Sequence, residues 1–148
     1  MQSWMEVAYQ QALQAQQLQE VPVGAVLVDS VSGTLLTKAH NLTENKQNVT
    51  AHAEMLVIQQ ASFIRNNKYL DGCDLYVTLE PCPMCAAALS FARIRRIYFG
   101  AYDVKSGALE HGPRLYQFSA LHHKPEVIGG IMEQECGLLL SDFFKNLR

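Results

Sequence analysis

Nowhere in the 148 residues does an apolar run approach the roughly 18–20 residues that a membrane-spanning helix needs. The opening Met1-Gln2-Ser3-Trp4-Met5-Glu6 has neither the basic stretch nor the apolar stretch of a secretory signal. No internal repeat, low-complexity tract or interdomain linker divides the chain. Strong charge is missing as well: the formal net charge is −2, which does not by itself announce a nucleic-acid binder. These absences predict a cytoplasmic protein with no membrane partner, folded as a single domain over residues 1–148.

The distribution of charge says more than its sum. Residues 1–92 carry four Lys/Arg against eight Asp/Glu, and residues 93–148 carry eight against six. The later cations are Arg93, Arg95, Arg96, Lys105, Arg114, Lys124, Lys145 and Arg148. Such an asymmetry permits phosphate contacts on one side without demanding them.

Cysteine is scarce: Cys73, Cys82, Cys85 and Cys136. In a reducing compartment a CxxC is a metal or redox site rather than a staple, which singles out Cys82 and Cys85. Cys73 and Cys136 read as reduced residues that pack as small hydrophobes.

Along the chain, Ser3-x-x-Glu6 has the form of a capping box, and Met5, Ala8, Ala12 and Ala15 mark one stripe of a helix from Trp4 to Gln19. Val23 to Val28 reads as a buried strand, Asp29 to Gly33 as a turn, and Thr34 to His40 as a second, antiparallel strand. After a polar loop, Thr50 is the expected N-cap of a helix from Ala51 to Asn66. Leu75 to Leu79 is a third strand, Cys82 to Ala92 a small-residue helix with proline in its first turn, and Ile97 to Gly100 a fourth strand. Residues 101–124 read as a long loop with a short helix near Arg114 to Phe118. Glu126 to Ile131 suits a fifth strand and Glu133 to Leu147 a closing helix. Strands alternating with helices predict an α/β domain with a mixed sheet that begins in a hairpin.

Two short stretches carry chemistry: His52-Ala53-Glu54 and Pro81-Cys82-Pro83-Met84-Cys85. Cys82 and Cys85, three residues apart, share one face of a helix at its N-terminus, where free amides favour thiolates. His52 and Glu54 serve one site only if it lies at the N-terminal end of their helix. One imidazole and two thiolates form a set that Zn²⁺ favours, with a fourth position left open for water. Glu54 would then move protons without binding metal. Taken singly, the CxxC also describes a thioredoxin-like redox pair. A structural zinc site is a further alternative, with Cys73, Cys136, His40, His122 or His123 as fourth ligand. A lone His-x-Glu is weak, whereas the pair of motifs forms the H-x-E…P-C-x-x-C signature known for zinc nucleobase deaminases.

Beyond those motifs, the stretches Val21-Pro22-Val23-Gly24-Ala25-Val26, Thr50 to Met55, Thr78 to Ala86, Arg93 to Ala108 and Glu135 to Phe144 are spread along nearly the whole chain. In them the sequence resembles the tRNA-specific adenosine deaminase family within the cytidine deaminase-like superfamily. The resemblance implies a three-layer α/β/α fold with a mixed five-stranded sheet. It implies hydrolytic deamination of adenosine to inosine at the wobble position of a tRNA anticodon, with one Zn²⁺ per subunit and a homodimer whose two subunits contact the anticodon loop. By the same resemblance His52, Cys82 and Cys85 would hold zinc, Glu54 would shuttle protons, and Asn41 would hydrogen-bond the purine. Asp103 and Lys105 would lie near the flanking nucleotides, and Phe143 and Phe144 would help shape the groove. Ala87, where many members have glycine, and the segment Leu109 to His123 depart from the commoner pattern. The alternative is a sister deaminase acting on a free base or nucleotide of guanine or cytosine type. Arg95 and Arg96 are the expected phosphate-contacting pair.

Overall fold

In the computed structural model, which describes residues 3–147, α1 (Trp4–Gln17) leads into β1 (Gly24–Asp29) and β2 (Thr34–His40). Then come α2 (Ala53–Arg65), β3 (Cys73–Leu79), α3 (Pro83–Phe91), β4 (Arg96–Ala101), a 3₁₀ turn at Leu115–Gln117, β5 (Glu126–Ile128) and α4 (Glu133–Asn146). Met1, Gln2 and the basic Arg148 lie outside the described residues. No helix among the described residues is long and apolar enough to cross a membrane.

The helix starts and stops follow local chemistry. The Ser3 hydroxyl accepts the Glu6 N–H at 3.2 Å, and Met5, Ala8, Ala12 and Ala15 are all fully buried. The first helix ends at Gln17 rather than at the expected Gln19. Gln19 turns left-handed (φ 60°) and lets the Glu20 N–H reach back to the Ala15 carbonyl at 2.9 Å, which satisfies an orphan acceptor. In the hairpin turn the Asp29 carboxylate accepts the Val31 and Ser32 amides.

The sheet runs β2-β1-β3-β4-β5. The second strand pairs antiparallel with β1, as does β3, while β3–β4 and β4–β5 are parallel. Side chains alternate between two cores, as a strand's period of two requires. Ala25, Leu27, Leu75, Val77, Ile97 and Phe99 join Leu56, Val57 and Ala61 of α2 and Leu89 of α3. Val26, Val28, Tyr76 and Tyr98 join Met5 and Ala8 of α1, with the two tyrosine rings stacked at 4.4 Å. A Cβ on Gly24 would meet the Ala8 carbonyl oxygen at 2.0 Å, so only glycine lets α1 lie this close to β1. On the same face Gly100 opposes Cys136 of α4. Helices thus cover both faces of the mixed sheet, giving the three layers expected.

This register brings one sheet edge together. His40 at the end of β2 pairs with Gly24 at the start of β1, and Leu79 at the end of β3 pairs with Ala101 at the end of β4. The loops that follow β2, β3 and β4 therefore emerge side by side.

Candidate active site

Two helices begin at that edge, and the donor residues sit at their starts. The expected capping role of Thr50 is not what the chain uses. Both the Thr50 N–H and its hydroxyl engage the Asn48 side-chain oxygen, at 2.9 and 2.7 Å. His52 itself flanks α2, with extended backbone (φ −72°, ψ 151°), and Glu54 follows in the first turn. The imidazole thus departs from outside the helix, which removes the difficulty of the two-residue spacing. Cys82 takes the same flanking position on α3, Pro83 opens the helix, and Cys85 stands on its first turn.

The three donor atoms converge. The Cys82 Sγ lies 3.7 Å and the Cys85 Sγ 3.5 Å from the His52 Nδ1, and all three atoms lie within 4.8 Å of one another. Tetrahedral zinc, with bonds of about 2.3 Å to sulfur and 2.0–2.1 Å to nitrogen, separates such donors by roughly 3.6 Å. The residues fit a zinc ion.

Their proton affinities are tightly linked. The Cys85 thiol, then His52, hold the Cys82 thiol down to about 4, against the opposing effect of burial. Cys85 is pushed well above the ordinary thiol value by its hydrogen bond to Cys82 and by burial. The bond to Cys82 raises the His52 imidazole. Burial, foremost, lifts the Glu54 carboxyl to about 7; its residue is only 4% exposed. A carboxyl poised there can both take and give a proton near neutral pH.

His52, Glu54 and Cys82 line a cavity of about 220 Å³, whose other walls include Asn41, Thr43, Asp103 and Ser106. Asn41 follows β2 and is buried, and its side-chain oxygen has no hydrogen-bond partner among the described residues. A buried amide oxygen left open in a cavity wall is a ready partner for a ligand donor. Of the other residues singled out in the sequence, Lys105 and Phe144 lie outside this cavity. They line an adjoining groove of about 290 Å³, which shares Leu79 and Asp103 with it. Phe143 is buried beside Leu18 and Leu147 in a second groove, joined to the cavity through Val21.

Arg95 and Arg96 are placed differently from the sequence expectation. They stand at the N-terminal end of β4, across the sheet from the cavity, and both are already paired. Arg95 makes two bonds to the Asp74 carboxylate (2.8 and 2.6 Å), and Arg96 pairs with Glu126 and with the Tyr98 hydroxyl. Their attraction to Asp74 and Glu126 comes with folding, so they are no free phosphate patch. His123 is likewise occupied, with its Nε2 donating to the Ile94 carbonyl at 2.7 Å. Thr43, Ser106 and Glu80 also line the cavity, without a motif that marks them in the sequence. Only Glu80 left a signal: a carboxylate ending an apolar strand directly before Pro81.

Among curated proteins, the chain is 48% identical over 145 residues to the tRNA-specific adenosine deaminase of Agrobacterium fabrum, covering 98% of this chain and 94% of that one. It is 46% identical over 145 residues to the tRNA-specific adenosine deaminase of Bacillus subtilis, covering 98% and 89%. The chain belongs to the tRNA-specific adenosine deaminase family. Residues 1–101 also match the family described as cytidine and deoxycytidylate deaminase zinc-binding region. A solved structure from work on A-to-I editing by tRNA deaminases at the wobble position of transfer RNA superposes with a TM-score of 0.89. It is 48% identical and covers 92% of this chain and 97% of that one. The guanine deaminase of Nitrosomonas europaea, at 19% identity and a TM-score of 0.80 over 94% of this chain and 81% of that one, shares the fold.

Proposed function

We propose that the protein hydrolytically deaminates adenosine to inosine at the wobble position of a tRNA anticodon, from a single deaminase domain covering residues 1–148 that holds one zinc ion per subunit. The observation that carries this reading is the meeting, at one cavity, of a His/Cys/Cys donor set with the buried Glu54. That meeting occurs in a chain whose relatives named tRNA-specific adenosine deaminase align over 98% of its length.

His52 through Nδ1, and the Cys82 and Cys85 thiolates, would hold the metal. The chemistry that zinc supplies there when bound is activation of water near neutral pH. In the overall reaction water adds to the amino-bearing carbon of the purine, ammonia leaves and a carbonyl remains. Water gives up two protons: one goes to the ring nitrogen, where inosine keeps it, and the other to the amine, which departs as ammonia. Glu54 is the group that carries them in turn, since burial holds its carboxyl near 7. Asn41 offers its unpartnered oxygen to a purine donor at the cavity wall. Asp103 stands between the cavity and the groove of Lys105 and Phe144, a position suited to the nucleotides flanking the target base. Anticodon-loop bases are already splayed, so little unstacking opposes their entry.

The reading includes a homodimer acting in the cytoplasm. Phe63 and Ile64 on α2 and Phe91 on α3 are exposed, an apolar surface of the kind that a second copy covers. Purified, metal-quantified protein is expected to form inosine at the wobble adenosine of an anticodon stem-loop and to leave free adenosine, cytidine and guanine untouched. Ammonia released from a free base alone would keep the chemistry and overturn the substrate.

A further inference from the structure

Among the described residues Glu80 is the carboxylate with the most hydrogen bonds, and neither the metal donors nor the proton transfer uses it. Its side chain is fully buried. Its Oε1 accepts the Asp103 N–H at 3.0 Å and meets the His111 Nδ1 at 2.9 Å. Its Oε2 accepts the N–H groups of Leu109 (3.1 Å), Glu110 (2.8 Å) and His111 (3.1 Å). An isolated buried carboxylate is strongly disfavoured, so the molecule supports this one only through that full set of charge-assisted bonds. All of them go to one segment, residues 103–111, which contributes Asp103 and Ser106 to the cavity wall. That segment is otherwise loop. It is tied down by the Gly107 N–H to the Asp103 carbonyl and the Ala108 N–H to the Pro81 carbonyl, each at 2.9 Å. Gly107 is shaped to this contact: a Cβ there would come within 2.5 Å of the Glu80 carboxyl carbon.

We propose that Glu80 is a positioning residue for substrate: it gathers the backbone of residues 103–111 around one buried carboxylate and so fixes the wall that Asp103 and Ser106 present to the bound nucleotide. The inference rests on the deaminase reading of the cavity. Glu80 is adjacent to Pro81 and two residues from Cys82, so a role in holding the donor cluster is the competing outcome. The two oxygens divide their partners, and that makes the test sharp. In Glu80→Gln the amide oxygen can keep the bonds from the Leu109, Glu110 and His111 backbone amides, while the amide nitrogen, a donor, cannot accept from the Asp103 N–H, and the His111 Nδ1 keeps its contact only by accepting from it.

The experiment compares wild type and Glu80→Gln by zinc content, by steady-state kinetics on a wobble-adenosine stem-loop, and by amide hydrogen exchange in the substrate-free protein. The expected result is KM raised about tenfold, the loss of one hydrogen bond to a charged group, with kcat within about threefold. Zinc should remain stoichiometric, and exchange should accelerate at Asp103 more than at residues 109–111. His111→Ala, which removes one side-chain partner from a half-exposed position, should shift KM the same way by less; it serves if Glu80→Gln does not fold. Loss of zinc, a fall in kcat at unchanged KM, or unaltered exchange at Asp103 would overturn the proposal. If wild type leaves the stem-loop unmodified, the substrate reading fails, and the exchange comparison still decides whether Glu80 holds the wall.

Discussion

The donor cluster and the walls around it are assembled in opposite ways. His52, Glu54, Cys82 and Cys85 come from two helix starts, each spanning at most four residues, and the spacing along the backbone does most of the positioning. Asn41, Thr43, Asp103 and Ser106 come from loops after β2 and β4, and nothing in their local sequence aims them. What holds these loops is a buried glutamate behind each. Glu80 gathers residues 103–111, and Glu20, fully buried, accepts the Glu44 N–H (3.1 Å), the Asn45 N–H (2.7 Å) and the Asn45 side chain (2.6 Å). The cluster supplies chemistry and the walls supply selection, so damage to each should register differently.

The largest effect belongs to the cluster. Cys82→Ala leaves two donors and should lose stoichiometric zinc and at least about a thousand-fold in turnover, read by metal analysis and inosine yield. Zinc retained with turnover intact would erase the division between the two regions. At the walls, Asn41→Ala should keep zinc and lose roughly ten- to hundred-fold in kcat/KM on the stem-loop, the range for a buried hydrogen bond that a substrate completes. Equal activity would take Asn41 out of the substrate's reach.

The smallest effect concerns the support behind the wall. Burial pushes the Glu20 carboxyl up, but the Asn45 side chain, the Asn45 and Glu44 amides and the charge of His40 together bring it below the usual carboxylate value. A carboxyl whose value is lowered by folding contributes stability that is complete above its unfolded value and is lost as pH falls through its folded value. Glu20→Gln should therefore melt roughly 5 °C below wild type at neutral pH, with the gap closing as the pH is taken through the carboxylate range. A gap that stays constant with pH would deny Glu20 its ionised role.

The contrast also explains what the sequence made legible. The alternation of the strands, the buried stripe of Met5, Ala8, Ala12 and Ala15, and the two ligand motifs are local patterns, and periodicity or spacing reveals them. The cap of α2 is not legible because Thr50 has the right chemistry in nearly the right place; the Asn48 side chain captures it, and that capture depends on the loop's path. The partners of Arg95 and Arg96 are not legible because a cation in sequence shows none, whereas the parallel register of β3, β4 and β5 sets Asp74 and Glu126 beside them. The role of Glu80 is not legible because the four residues that bond it lie 23 to 31 positions away.

The division between chemistry and selection is tested most directly at Glu54, the one residue of the cluster that is given no metal to hold. Zinc content and single-turnover inosine formation would be measured for Glu54→Ala beside wild type on the same stem-loop. The account predicts one zinc per chain in both proteins, stem-loop affinity within about threefold, and a loss of at least about a thousand-fold in the rate of inosine formation. Loss of zinc from Glu54→Ala, or turnover near that of wild type, would contradict it.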